Sequence, residues 1–135
     1  MSPERSKRLL TGFLYAGGAV PVVTGIYAVL TGSGGMPGTS EATANVENEL
    51  RFFASFWVGF GLAVLWVAPR VDRETTAVRA LMGVLFLGGV ARAIAWAAEG
   101  RPDAIFIVLM ALELALPPLV VFWQSHLAAG QRTSP

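Results

Sequence analysis

The sequence predicts an all-α integral membrane protein, folded as an antiparallel four-helix bundle with both termini in the cytoplasm. Three observations predict it. Of the 135 residues, 54% are apolar and only 14% are charged, against about 25% charged in a typical soluble domain. Charge that sparse cannot solvate a globular surface. Four apolar stretches are each long enough, as helices, to cross a hydrocarbon core of about 30 Å. Each is apolar around its whole circumference, so none carries the polar outer face of a soluble bundle helix.

The first span covers about residues 9–30 and the second about 50–68. The third covers about 77–98 and the fourth about 104–123, within one transmembrane domain of residues 1–135. The first span has a basic lead-in, but it exceeds the usual signal-peptide core and lacks a clean A-x-A site, so it reads as a retained helix. Between spans one and two, TGSGGMPGTSE (Thr31 to Glu41) has the Gly, Ser and Pro-Gly content of a loop. The following ATANVENELRFF is rich in helix formers and starts helix two ahead of the bilayer. PRVDRETT (Pro69 to Thr76) and EGRPD (Glu99 to Asp103) are tight polar turns, and such turns force antiparallel neighbours. No internal repeat is visible.

Orientation follows from the Lys and Arg positions. Arg5, Lys7, Arg8, Arg70, Arg73, Arg79 and Arg132 fall on one side, whereas of the two opposite loops the first has no basic residue and the third only Arg101. That places both termini in the cytoplasm. Trp66 and Trp123 at the cytoplasmic ends, and Trp96 at the outer end of helix three, agree with an interfacial aromatic belt.

The net charge of +1 excludes a nucleic-acid footprint, which needs a concentrated basic face. The absence of cysteine excludes disulfides and thiolate metal sites, and one histidine, His126, is too few for bis-histidine haem or a helical zinc motif. No cofactor is expected. The first-loop acids Glu41, Glu47 and Glu49 have no metal-ligand spacing.

Two charges stand out inside the spans. Arg92 lies in GGVARAIAW and Glu113 in IFIVLMALELALPPLVVFWQ. At 1.5 Å per residue, Arg92 is about 9 Å and Glu113 about 13 Å from the outer ends of their helices. An unpaired charge at the bilayer centre costs roughly 2.5–3.5 kcal/mol, and the short Glu113 side chain cannot snorkel to relieve it. Arg92 is the partner at matching depth. Glu49 and Arg51, near the outer boundary, are expected to join the same outer-half cluster, whose formal charges sum to zero.

Pro117 and Pro118 sit so that their rings oppose the carbonyls of Glu113 and Leu114. A bend of helix four and two freed acceptors beside the acid are expected. Gly88 and Gly89, on the face of Arg92 and Trp96, permit close helix approach or leave space. The Gly residues of AGGAVP (Ala16 to Pro21), with Gly12 and Gly25, do the same for helix one. Trp57, Trp96, Gly88 and Pro117 are the pocket candidates.

These residues carry a resemblance. Glu49-x-Arg51-Phe opening helix two, Arg92 ahead of the Gly100 turn, and Glu113 ahead of Pro117 resemble a bacterial family of small four-span membrane proteins, the domain of unknown function DUF4345. The resemblance covers roughly Tyr15 to Trp123. It implies a four-helix integral protein of the bacterial cytoplasmic (inner) membrane and supplies no reaction.

Three roles stay open for the Arg92–Glu113 pair: a staple fixing helix register, a ligand site, or proton coupling. The reading placed first is a non-enzymatic protein that binds a lipid or amphipathic small molecule in the polar cluster, or serves as an accessory subunit. The alternative is an oligomeric proton-coupled transporter using Glu113. Four-span exporters place their acid in helix one, and helix one here has no ionisable residue buried in its apolar run. A lipid-active enzyme would need a second proton-transfer group, and arginine is a poor one. The partners expected are the lipid bilayer, a lipid or amphipathic ligand, and further copies of the chain or a larger membrane complex.

Overall fold

The computed structural model describes residues 2–39 and 42–132. Among them every regular element is helical. The order is α1 (Pro3–Thr31), a 3₁₀ turn (Gly32–Gly35), α2 (Ala44–Val67), a second 3₁₀ turn (Ala68–Arg70), α3 (Thr75–Glu99) and α4 (Ala104–Arg132). All four α-helices are long and apolar enough to cross a membrane. Their surfaces agree with lipid as solvent: Leu30 is 73% exposed, and Val23, Leu87 and Phe122 are 65% exposed. Monomeric soluble proteins rarely expose apolar surface on such a scale.

The helices outrun the apolar stretches, at the start of α2 as expected and also at the start of α1 and the end of α4. α1 begins at Pro3 and carries Arg5, Lys7 and Arg8 in its first turns, and α4 continues from Trp123 to Arg132. Apolar length measures the span, whereas the backbone stays helical until capping or a breaker stops it. The prolines do not stop it: α1 runs through Pro21 and α4 through Pro117 and Pro118 as single helices. Helix three does stop, at Gly100, whose φ of 96° lies where side-chain-bearing residues are strained and whose N–H donates to the Trp96 carbonyl at 3.0 Å.

The chain forms two compact units, Met1–Gly12 with Val67–Pro135, and Phe13–Trp66. In the second unit, α1 and α2 run antiparallel. Partners on α2 rise in number as those on α1 fall: Arg51 bonds the Val29 carbonyl, Trp57 bonds Thr24, and Gly61 lies against Gly18. Glycine makes this approach possible. A Cβ on Gly61 would lie 2.6 Å from the Gly18 carbonyl oxygen, and one on Gly25 2.7 Å from Val58. Such small-residue contacts stand in for the hydrophobic drive that lipid removes.

In the first unit, α3 and α4 form an antiparallel hairpin closed by residues 100–103. At the end away from that turn sits a core of Leu10, Val71, Val78, Val120 and Leu127 around Gln124, which is fully buried. Gln124 Nε2 donates to the Val71 carbonyl and to Thr75 Oγ1. Lys7 Nζ pairs with Asp72 at 2.8 Å, Trp123 Nε1 donates to Ser6 Oγ at 2.7 Å, and Thr11 Oγ1 donates to the Ala68 carbonyl. Polar bonds thus fasten the first turns of α1 to the α2–α3 connection and to α4.

Candidate functional site on the α3–α4 hairpin

Arg92 stands seven residues before the end of α3 and Glu113 nine after the start of α4, so an antiparallel hairpin sets them at similar depth. The structure joins them: Arg92 Nε donates to Glu113 Oε2 at 2.8 Å. Glycine again allows it. A Cβ on Gly89 would press within 2.8 Å of Leu114 and 3.1 Å of the Glu113 Cβ, and one on Gly88 would lie 3.7 Å from Glu113 Oε2. The Glu113 side chain is 9% exposed and that of Arg92 37%. The acid is the buried partner, and the guanidinium reaches toward open space.

That space is a cavity of about 300 Å³ between the hairpin arms. Its wall includes Arg92, Trp96, Glu99, Arg101, Phe106 and Met110. The Arg92 guanidinium lies 5.7 Å from the Phe106 ring centroid, within cation–π range. Gly100 and Pro102 turn the chain so that Glu99 and Arg101 both line the cavity. Glu113 itself is not among the residues lining this cavity. It holds Arg92 from behind.

Of the four residues expected in one polar cluster, Arg92 and Glu113 are joined within the first unit. Arg51 belongs to the α1–α2 unit and finds its partners there. Its Nη1 donates to the Val29 carbonyl at 2.5 Å, and its Nε lies 3.6 Å from Glu47 Oε2, one helical turn away. Glu47 in turn accepts from the Ser33 amide at 3.0 Å and from the Ser33 hydroxyl. Gly32, at φ 61°, leaves the room in which Glu47 and Arg51 sit. The group therefore caps the C-terminal end of α1, where carbonyls lack intrahelical partners. Glu49 is exposed and makes no ion pair among the described residues. Glu41 lies outside the described residues.

Of the pocket candidates, Trp96 lines the cavity. Gly88 and Pro117 are not among its lining residues. Trp57, in the other unit, donates to Thr24 Oγ1 and stacks on Phe60 with centroids 5.2 Å apart. Glu99, Arg101 and Phe106 are the wall residues that sequence reasoning passed over. Their signal was slight: two charges flanking a Gly-containing turn next to a span that bears an arginine.

The fold and this site define a class, a multi-pass membrane protein of four helices with an ion pair set into one helical hairpin. The chain belongs to the family described as Domain of unknown function (DUF4345), which it matches over residues 9–124. That range contains all of α3 and α4 as far as Gln124, and with them Arg92 and Glu113. No curated protein and no solved structure matches the chain.

Proposed function

We propose that the protein binds a lipid or other amphipathic small molecule, without chemistry, through the cavity on the α3–α4 hairpin, and that it does so in a bacterial cytoplasmic membrane. One observation carries the reading: a partly exposed guanidinium, held by a buried acid, borders a cavity with aromatic and apolar walls inside a membrane-spanning hairpin. Ligand sites are typically concave, mostly apolar and supplied with a few placed polar groups. About 300 Å³ is at the small end of the usual range of roughly 300–1,000 Å³. It accommodates a head group and the start of a chain. Glu113 sits behind Arg92 instead of on the wall, which favours a holding role over loading protons from solvent.

Native mass spectrometry of the protein purified in a neutral maltoside detergent tests the reading. The wild type is expected to retain a lipid-sized adduct. Ala95→Trp, which fills the cavity from an exposed wall position, should lose that adduct while keeping its helical circular dichroism and melting profile. A wild type without adduct, or one whose adduct survives the filled cavity, would refute binding at this place.

A further inference from the structure

We infer that the end of the ligand held in this cavity is an anion, a phosphate or carboxylate, with Arg92 and Arg101 as its contacts and Glu113 as the positioning residue for Arg92. The inference rests on the binding reading above and adds the sign of the charge recognised.

Four observations point the same way. Glu99 and Glu113 balance the formal charges of Arg92 and Arg101, but of the two acids only Glu99 lines the cavity, so two guanidiniums and one carboxylate can touch a ligand there. The bond to Glu113 uses Arg92 Nε, and among the described residues no hydrogen bond is made by the terminal nitrogens of Arg92. Those nitrogens present N–H groups in the planar fork that suits a carboxylate or phosphate oxygen pair. The aromatic surface that could have served a cationic head group is partly engaged, since Phe106 already has the Arg92 guanidinium 5.7 Å from its centroid. Finally, Glu113 is buried and bonded to Arg92 at 2.8 Å, which fixes the guanidinium before any ligand arrives. Preorganisation of that kind reduces the ordering cost of binding.

The test is a titration of the purified full chain, in a neutral maltoside detergent, with three twelve-carbon probes read by native mass spectrometry. The probes are dodecyl phosphate, dodecyltrimethylammonium and dodecanol, with inorganic phosphate as a fourth arm. Dodecyl phosphate is expected to bind at least about tenfold more tightly than the other two, the scale of one charge-assisted contact. Arg101→Gln, on an exposed turn, should weaken it several-fold, and so should Arg92→Gln where that variant folds. Glu99→Gln should tighten it, because it removes the one like charge on the wall.

The outcomes separate the two levels of the argument. Equal binding of all three probes, unmoved by the charge variants, overturns the anion and leaves the cavity a binding site. Tighter binding of dodecyltrimethylammonium, or weaker binding of dodecyl phosphate to Glu99→Gln, overturns the sign outright. Inorganic phosphate binding as tightly as dodecyl phosphate would retain the anion and remove the amphiphile. If no probe binds, the binding reading falls with the inference.

Discussion

Arg92 and Glu113 face each other across the α3–α4 hairpin with Nε and Oε2 2.8 Å apart, and their exposures are unequal: 37% for the arginine side chain, 9% for the acid. The inequality decides what the pair contributes. A buried carboxylate without its partner bears the full cost of lost hydration, whereas a long arginine stem can carry its charge to water. Glu113 therefore depends on Arg92 more than Arg92 depends on Glu113.

The two single substitutions should accordingly differ. Arg92→Leu strands the acid and is expected to cost about 2–3 kcal/mol, below the usual 3–5 for a fully buried pair because Arg92 is part-exposed. Glu113→Gln removes the charge and keeps the shape, and should cost about 1 kcal/mol. The double variant should be more stable than Arg92→Leu alone. Reversible unfolding in mixed micelles measures all three. An Arg92→Leu protein restored in no degree by Glu113→Gln would contradict this account of the pair.

Close packing of α1 on α2 gives a second prediction, with a control two residues away. A Cβ at Gly61 would meet the Gly18 carbonyl oxygen at 2.6 Å and the Val22 amide nitrogen at 2.9 Å, both backbone atoms that cannot step aside. Gly61→Ala should destabilise by roughly 1–3 kcal/mol through overpacking. A Cβ on Gly59 would have no neighbour within 4 Å among the described residues, so Gly59→Ala should be neutral or gain up to about 1 kcal/mol in helix propensity. Thermal unfolding of the two variants, side by side, reads the difference.

The number of helices and the Arg92–Glu113 pair were legible in the sequence for one reason: in lipid, length and charge placement are costly to get wrong. Two opposite charges at matched depth on adjoining spans have few other places to go. The partners of Arg51 were less legible. Glu47 and Arg51 are four residues apart, the spacing of a helical pair, so this contact was readable, but the α1 carbonyls that Arg51 also bonds depend on how two distant segments pack. The same holds for Glu99, Arg101 and Phe106, brought to one cavity by the turn at Gly100. Pro117 and Pro118 lie inside α4, which is one helix from Ala104 to Arg132. A proline deletes one hydrogen bond from a helix, and the remaining ladder and side-chain packing carry α4 through.

The α1 cap supplies the third prediction. Arg51→Leu removes the donor to the Val29 and Leu30 carbonyls and the cation beside Glu47. A loss of about 1–2 kcal/mol is expected for unsatisfied carbonyls together with a stranded acid. It should be local, with faster amide exchange at the end of α1 and through Gly32–Gly35. Glu49→Gln, by contrast, alters an exposed residue with no ion pair among the described residues, and should stay within about 0.5 kcal/mol of the wild type. Hydrogen–deuterium exchange with peptide resolution separates the two, and equal effects would mean that the cap is not what Arg51 supplies.

Gln124 poses the sharpest test at the other end of the hairpin. Its side chain is fully buried, its Nε2 donates to the Val71 carbonyl at 3.2 Å and to Thr75 Oγ1 at 2.8 Å, and its Oε1 has no hydrogen-bond partner among the described residues. Two changes of similar size pull these contributions apart. Gln124→Leu gives up both bonds but also removes an unsatisfied buried oxygen, and terms of about 1–3 kcal/mol on each side leave a small net change. Gln124→Glu keeps the volume and puts an acceptor where the Val71 carbonyl needs a donor, with a charge buried beside it. That costs several kcal/mol more on the same scale of buried polar groups. Melting of the two variants in detergent should rank them with Gln124→Leu close to the wild type and Gln124→Glu far below it. The reverse order would mean that water reaches this core and that the bonds of Gln124 are not what closes the α2–α3 turn onto α4.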